Sequence, residues 1–223
     1  MSAFATWLNE VFAGFDYAIL EFFHSLAVLA DWFFTPFFKF ITLFGEEGIP
    51  CIIFGIVLLF FKKTRKAGIC VLSAIVIGWI IVNISVKPIV ARPRPYVSGV
   101  EDFYNWWLSA GGPEMSEFSF PSGHTNVVVA TLTAFCFVMG KKWIAPCAVF
   151  CVLMGMSRIY LMVHYPTDVI AGIIVGGIAA VLACLAINAL WRLVEKHSDK
   201  KLFGFAINFD IRHPFSKKEN TDE

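Results

Sequence analysis

The chain has 223 residues, the length of one domain, with a formal net charge of +1; 58% of its residues are hydrophobic and only 16% are charged. A soluble domain carries about 25% charged residues, so the composition excludes that class, and the small net charge excludes nucleic-acid binding through bulk charge. The mean hydropathy of +0.71 and the 24 Phe predict a polytopic protein of the lipid bilayer.

The first predicted element is an N-terminal segment, residues 1–30, whose apolar stretch 2–29 is interrupted by polar side chains. These are Glu10, Asp16, Glu21 and His24. The mixture predicts one or two amphipathic helices lying in the membrane interface. A signal peptide is not expected, because the first basic residue is Lys39.

Residues 31–196 form the predicted transmembrane domain, since a helix needs about 20 apolar residues to cross ~30 Å of hydrocarbon. The first apolar run, 33–61, is interrupted at positions 45–48 by Gly-Glu-Glu-Gly. We expect one tilted or broken span there, with its polar break buried or wetted. Four further runs follow at 67–86, 125–139, 143–160 and 169–190. The predicted fold is therefore an all-α bundle of five spans, or of six if a first helix covers about 17–37.

Three other features have simple interpretations. Gly172 and Gly176 form a small-xxx-small pattern, which predicts a helix-packing face. The six cysteines form no CxxC pair and lie in or beside apolar runs, which favours buried, reduced thiols and no metal site. Residues 197–223 mix charges without a hydrophobic period, which predicts a solvated tail.

The basic residues are unevenly distributed. Under the five-span plan, 13 of the 18 Lys and Arg fall on one side, in the turns 62–66 and 141–142 and after the last span. The positive-inside rule makes that side, with the C-terminal tail, cytoplasmic. Lys87, Arg92, Arg94 and Arg158 gather on the outer side against this rule, which indicates that something there requires positive charge.

Three segments that carry reactive side chains end on the outer side, at 87–95, 120–124 and 157–168. Because each lies at the end of a span, the fold can bring them together. The candidate site residues are Lys87, Arg94, Ser122, Gly123, His124, Arg158, His164 and Asp168. Cations, imidazoles and a helix N-terminus suit an oxyanion that carries several charges.

The second segment has the pattern of a helix start at an anion site. Pro121 favours a helix start, and Ser122 can cap the helix. Gly123 lets a backbone N–H approach a ligand closely. His124 then lies in the first turn, at the positive end of the helix dipole.

The third segment pairs an imidazole with a carboxylate. His164 and Asp168 are four residues apart, and Pro166 is placed to start a helix between them. The carboxylate can reach back to one ring nitrogen and leave the other free to attack phosphorus.

Each segment alone also has a structural interpretation. Lys87 and Arg94 can be helix-end cations that reach the headgroups, and the second segment can be an ordinary helix start. The His164–Asp168 pair can be a structural hydrogen bond. Their occurrence together at three span ends on one membrane face favours a functional site.

The patterns K-x6-R-P, P-S-G-H and S-R-x5-H-x3-D occur in this order at 87–95, 121–124 and 157–168. They resemble the three signature motifs of the type 2 phosphatidic acid phosphatase superfamily, and no signature residue departs from the pattern. The motif-bearing region covers a little over a third of the chain. Soluble vanadate-binding haloperoxidases share the pocket, but the hydrophobicity of this chain favours the membrane branch.

The resemblance implies a lipid phosphatase that needs neither metal nor cofactor. In that family pattern His164 would be the nucleophile, and Asp168 would orient it. His124 would protonate the leaving oxygen and then activate water. The implied phosphate ligands are Lys87, Arg94, Ser122, Gly123 and Arg158.

Chain length and the outward site favour undecaprenyl diphosphate as the substrate, in a bacterial plasma membrane with the site on the extracytoplasmic side. A phosphatidylglycerophosphate or phosphatidate phosphatase is an alternative. A phosphotransferase that passes the phosphoryl group to a lipid or sugar hydroxyl is another. A non-enzymatic lipid or anion transporter is a third, although binding alone does not explain a histidine paired with a carboxylate.

Overall fold

The computed structural model describes residues 1–197 and 209–212, and every regular element in this part of the chain is helical. Its α-helices are α1 (Ala3–Val11), α2 (Ala13–Leu43), α3 (Ile49–Leu59), α4 (Arg65–Trp79), α5 (Lys87–Val90), α6 (Glu101–Ala110), α7 (Gly123–Met139), α8 (Ile144–Tyr160) and α9 (Pro166–Lys196). Three 3-10 turns, Glu46–Gly48, Pro95–Val97 and Lys141–Trp143, and a π-helical turn, Ile80–Val86, join them.

Four helical stretches of the described residues are long and apolar enough to cross a membrane: Ala13–Leu59, Arg65–Val97, Lys141–Tyr160 and Pro166–Lys196. The shorter apolar helix α7 lies between the second and the third. These helices contain each of the five predicted runs to within a residue or two. The predicted fold class, an all-α transmembrane bundle, is confirmed.

The first stretch is broken where the sequence predicts a break. α2 ends at Leu43 and α3 begins at Ile49, with the turn Glu46–Gly48 between them. Glu47 and Gly48 have φ of 46° and 73°, in the left-handed region, which interrupts the helical path. Within α2, Ala30 has φ −158° and ψ 65°, so residues 17–37 do not form one continuous helix. This break disfavours the six-span alternative.

α4, α7 and α9 pack against one another at the centre of the bundle, with α3 against α4 and α8 against α2 and α7. The Gly172–Gly176 face of α9 packs closely against α7. A Cβ on Gly172 would lie 2.7 Å from the carbonyl oxygen of Ser122, and one on Gly176 would lie 2.7 Å from that of Asn126. The predicted packing face is confirmed, and it brings the start of α7 beside the start of α9.

α1 and residues 209–212 lie at opposite ends of the bundle. α1 and the first half of α2 cover the end where α7 and α9 begin; the Ser2 hydroxyl donates to the Val90 carbonyl at 2.7 Å. Residues 209–212 contact the turn after α3 at the other end, where the Ile211 N–H donates to the Phe60 carbonyl at 3.0 Å. The remainder of the predicted tail, 198–208 and 213–223, lies outside the described residues.

Candidate active site

The three candidate segments meet at the end of the bundle that α1 and α2 cover. The Ser122 N–H donates to the Asp168 carbonyl at 3.0 Å, which joins the second segment to the third. Arg94 Nη1 lies 3.2 Å from His164 Nε2, which joins the first segment to the third. All of the site residues that the sequence predicts are brought into one cluster.

His164 lies in the turn between α8 and α9 and is 1% exposed. Because an arginine N–H can only donate, the contact with Arg94 makes His164 Nε2 the acceptor and places the proton of the neutral ring on Nδ1. That Nδ1 is 3.5 Å from Asp168 Oδ2, longer than a direct hydrogen bond but facing the carboxylate. The nitrogen that carries the lone pair is therefore the one beside the cations.

The surroundings of His164 favour its neutral, nucleophilic form. Burial lowers the pKa of His164 well below its ordinary range, and the charges of Arg94, Arg158 and Lys87 lower it further.

Asp168 is fully buried in the first turn of α9. Its Oδ2 accepts from the Tyr165 N–H at 3.0 Å, and its Oδ1 accepts from Arg92 Nη1 at 2.7 Å. Both oxygens are held, so the carboxylate has one orientation, with Oδ2 towards the ring of His164.

The second segment forms the predicted helix start. Ser122 is the N-cap of α7, and its hydroxyl oxygen accepts from the Thr125 N–H at 3.5 Å and from the Thr125 hydroxyl at 3.0 Å. Gly123 lines the cavity described below, and a Cβ added there would lie 3.8 Å from Lys87 Nζ. The first turn of α7 thus presents backbone N–H groups next to a cation.

His124 is 8% exposed and faces the cavity. Its Nε2 lies 3.3 Å from an oxygen of Glu46, in the turn that breaks the first membrane stretch. A Cβ on Gly45 would approach the ring of His124 to 3.0 Å, so a residue without a side chain lets this turn lie against the histidine.

The three cations differ in how far their donors are satisfied. Lys87 follows the π-helical turn and forms an ion pair with Glu117. Arg94 donates to the carbonyls of Glu117 and Val163, each at 2.8 Å. Arg158 is fully buried and donates to the Thr42 hydroxyl, while its Nε and Nη2 have no partner among the described residues. Buried donors without acceptors are rare in folded proteins and suit a site that receives an anion.

A cavity of about 760 Å³ opens beside Lys87 and Arg94. One part of its wall is polar and includes Lys87, Arg94, Gly123, His124 and His164. Another part is apolar and comes from α3, α4 and α7: Ile52, Ile75, Val76, Trp79 and Val127. The cavity therefore joins a cationic site to an apolar surface inside the bundle.

Comparison with known families decides the classification. Residues 67–192, more than half of the chain, match the PAP2 superfamily model and contain all three motifs. The chain belongs to the PAP2 superfamily. The family that the motifs resemble is thus confirmed.

Individual PAP2 proteins that resemble this chain are named for different substrates. An undecaprenyl-diphosphatase of Sulfolobus acidocaldarius is 33% identical over 140 residues, 61% of this chain and 63% of that protein. A lipid A 1-phosphatase of Rhizobium etli is 29% identical over 123 residues, 53% of this chain and 49% of that protein. The chain thus spans about half to two thirds of the length of these curated relatives.

A solved structure has the same fold. The transmembrane PAP2-type phosphatidylglycerolphosphate phosphatase of Bacillus subtilis superposes with a TM-score of 0.58 at 26% identity, over 80% of this chain and 88% of that one.

The structure adds residues that sequence reasoning did not place in the site. Arg92 counted only as one of the excess outer cations, yet it binds Asp168. Glu46 was recognised only as part of a polar break, yet it contacts His124. Glu117 had no sequence signal at all and pairs with Lys87.

Proposed function

We propose that this PAP2 protein is a lipid phosphatase that hydrolyses undecaprenyl diphosphate to undecaprenyl phosphate through a phosphohistidine. The observation that carries the proposal is that a buried imidazole and two cations, Lys87 and Arg94, share the wall of one cavity. The charge of Arg158 also acts on that imidazole, and its buried Nε and Nη2 have no partner among the described residues. A phosphoryl group would accept from those donors while His164 Nε2 attacks its phosphorus.

In the first step His164 Nε2 forms a bond to phosphorus, and the bond from phosphorus to the leaving oxygen breaks. His124, in its imidazolium form, gives a proton to that oxygen and becomes neutral. Asp168 accepts from the Nδ1–H of His164 and stabilises the charge that develops on the ring. The negative oxygens of the transferring group are balanced by Lys87, Arg94 and Arg158 together with the N–H of Gly123 and the hydroxyl of Ser122.

In the second step water attacks the phosphohistidine. His124, now unprotonated, accepts a proton from the water, and the bond from phosphorus to Nε2 of His164 breaks. Inorganic phosphate leaves, and both histidines return to their starting states.

The charge balance in this scheme requires no metal. Three cations face the equatorial oxygens, and among residues 1–197 and 209–212 no group of three or more His, Cys, Asp or Glu side chains could hold a metal ion. Activity should therefore persist in excess EDTA; loss on chelation with recovery on adding Mg²⁺ or Zn²⁺ would contradict the scheme.

The apolar wall of the cavity and the relatives support a lipid substrate. An isoprenoid chain beside Trp79 and Ile52 would stay out of water while its diphosphate reaches His164. The undecaprenyl-diphosphatase similarity favours this substrate. The structural similarity to a phosphatidylglycerolphosphate phosphatase makes that lipid the second candidate.

The proposed site opens on the extracytoplasmic side of a bacterial plasma membrane, and the C-terminus is cytoplasmic. The contact of residues 209–212 with the basic turn after α3 supports this orientation, because it joins the tail to the positive end of the bundle. A cysteine at exposed Ser109 should react with an impermeant maleimide on intact cells, whereas one at exposed Lys63 should not. The unsubstituted chain is the control for its native cysteines, and the reverse pattern would overturn the orientation.

Purified protein in detergent should release inorganic phosphate from undecaprenyl diphosphate faster than from phosphatidylglycerophosphate, phosphatidate or lipid A. A faster second or third substrate would replace the assigned lipid and leave the chemistry in place. Transfer of phosphate to an added alcohol instead of water would indicate a phosphotransferase. Binding without any phosphate release would indicate a transporter.

A further inference from the structure

A buried network lies beneath the proposed site, around an arginine outside the three motifs' signature residues. Arg92 is 1% exposed. Its Nη1 donates to Asp168 Oδ1 and to the Thr167 hydroxyl, each at 2.7 Å. Its Nη2 donates to Asp16 Oδ2 at 2.8 Å, and its Nε donates to Asn9 Oδ1 at 2.7 Å. The guanidinium also lies over the ring of Tyr165, 3.8 Å from the ring centre.

Asp16 ties this network to the N-terminal helices. Besides Arg92 it accepts from the Thr167 N–H at 3.0 Å and from the Thr167 hydroxyl at 2.8 Å. A buried carboxylate is tolerated only when it is paired and hydrogen-bonded. Asp16 meets both conditions, so the start of α2 is fixed against the start of α9.

Arg92 stands between two carboxylates and holds Asp168 on the oxygen that does not face the histidine. Oδ1 of Asp168 binds Arg92, and Oδ2 faces His164 Nδ1. Asp16 balances the second side of the guanidinium and keeps it in place. Arg92 differs from Arg158 in that its Nε, Nη1 and Nη2 all donate to protein acceptors, and neither Arg92 nor Asp16 is part of the cavity wall. We therefore assign neither residue a contact with the substrate.

We propose that Arg92 and Asp16 are positioning residues for phosphoryl transfer, acting through Asp168 on the orientation of His164. The proposal rests on the proposed phosphohistidine chemistry. It makes α1 and α2, which precede the family-model match at 67–192, part of the catalytic apparatus. Arg92 and Asp16 affect how fast the bond between Nε2 and phosphorus forms, and they leave the affinity for a free phosphate ion unchanged.

Vanadate and inorganic phosphate separate the aim of His164 Nε2 from the binding of a free oxyanion. Vanadate can take a fifth ligand and so reports whether His164 Nε2 is aimed at the central atom, as a transition-state analogue does. Phosphate reports only the binding of the oxyanion by the cations. The dissociation constants of both ions are measured by titration calorimetry on purified protein in detergent, and the rate of phosphoenzyme formation is measured on the same samples.

Asp16→Asn is nearly isosteric and keeps an oxygen for the Thr167 N–H, while it removes the charge that balances Arg92. We expect it to weaken vanadate binding about tenfold or more and to leave phosphate binding within about threefold. Phosphoenzyme formation should slow by a factor similar to the loss of vanadate affinity. Arg92→Lys, which cannot bind both carboxylates at once, should show the same pattern with a larger loss.

Tyr17→Phe is the matched control. Tyr17 is the next residue on α2, and its hydroxyl donates to Asp102 at 2.9 Å, outside the network. The control should lose that bond and leave both dissociation constants unchanged. If Arg92→Lys does not fold, Asn9→Ala removes only the partner of the Arg92 Nε, and a smaller loss confined to vanadate is expected.

Epistasis with Asp168 tests whether the effect passes through that carboxylate. In an Asp168→Asn background, Asp16→Asn should cause no further loss of vanadate affinity, because interacting positions are not additive. Full additivity, or equal losses for phosphate and vanadate, would overturn the positioning role and leave the network as a support of the fold. Failure of the proposed function is distinguishable, since the wild-type protein would then bind no vanadate or release no phosphate from any lipid.

Discussion

The two histidines of the site are both buried and both line the cavity, but they have different partners. His164 is 1% exposed and is bounded by Arg94 on one nitrogen and Asp168 on the other. His124 is 8% exposed, and its partner Glu46 has a side chain that is 55% exposed and in contact with water. A nucleophile benefits from a fixed orientation, whereas a group that donates and then accepts a proton must exchange with water. The difference in partners is consistent with the two proposed roles.

Removing His164 should have the largest effect. His164→Ala deletes the atom that bonds to phosphorus, so turnover should fall by about 10³-fold or more on every substrate, with no phosphoenzyme. Phosphate release and acid-labile labelled protein are the measurements. His24→Ala, a histidine that stacks on Trp106 away from the site, is the control and should retain activity. Turnover of His164→Ala within tenfold of the wild-type rate would remove the nucleophile assignment.

Removing His124 should have an effect that depends on the leaving group. His124→Ala should slow phosphoenzyme formation from the lipid about 100-fold or more, because a general acid typically contributes 10²–10⁴-fold. With p-nitrophenyl phosphate, whose leaving group hardly needs a proton, the loss should be below about tenfold.

The measurement for His124→Ala is a single-turnover burst of nitrophenol, since this histidine also activates water in the second step. If the burst is slowed as strongly as the lipid reaction, His124 is only a phosphate ligand and the comparison between the two histidines fails.

The pH dependence of the nitrophenol burst should reflect the surroundings of His164. Its pKa is lowered by burial and by three nearby cations, with one carboxylate, Asp168, facing the ring. A lowered pKa means that the neutral ring persists as the pH falls, so the acid limb of the nitrophenol burst should lie below the ordinary value of about 6.5. The second ionisation of p-nitrophenyl phosphate is titrated separately, and the burst rates are corrected for it. A burst already lost at about pH 6.5 would show that burial does not keep His164 neutral.

Local spacing predicted much of the site from the sequence. Ser122 caps α7 through Thr125, three residues on, and His164 faces Asp168, four residues on. Spacings this short at a helix start place the side chains next to each other. The polar break at 45–48 followed from composition alone, because two carboxylates in an apolar run require a wetted or buried turn.

Contacts between distant segments were not predictable in the same way. Asp16 and Arg92 are 76 positions apart, and Glu46 and His124 are 78 apart. Each of these pairs depends on how two helices pack, which the period of hydrophobic residues does not specify. In hindsight the signal was a charged residue in an apolar segment with no local partner, since such a charge needs a distant one.

The smallest expected effect concerns Glu46, and it tests how His124 is held between turnovers. A carboxylate can only accept a hydrogen bond, so its 3.3 Å contact favours the ring state in which His124 Nε2 carries a proton. Glu46→Gln keeps the size but offers a donor as well as an acceptor, and this preference is lost. Because exposed ion pairs contribute about 0.2–1 kcal/mol, phosphoenzyme formation from the lipid should slow by a few-fold at most.

Glu47→Gln is the matched control for Glu46→Gln. Both carboxylates line the cavity and both substitutions remove one negative charge, but the contact with His124 comes from Glu46. A slower lipid reaction in Glu46→Gln alone, with the nitrophenol burst unchanged in both variants, would assign Glu46 to the proton carried by His124. Equal rates in the two variants would mean that Glu46 and Glu47 act only through their summed charge. The partner of His124 would then be water.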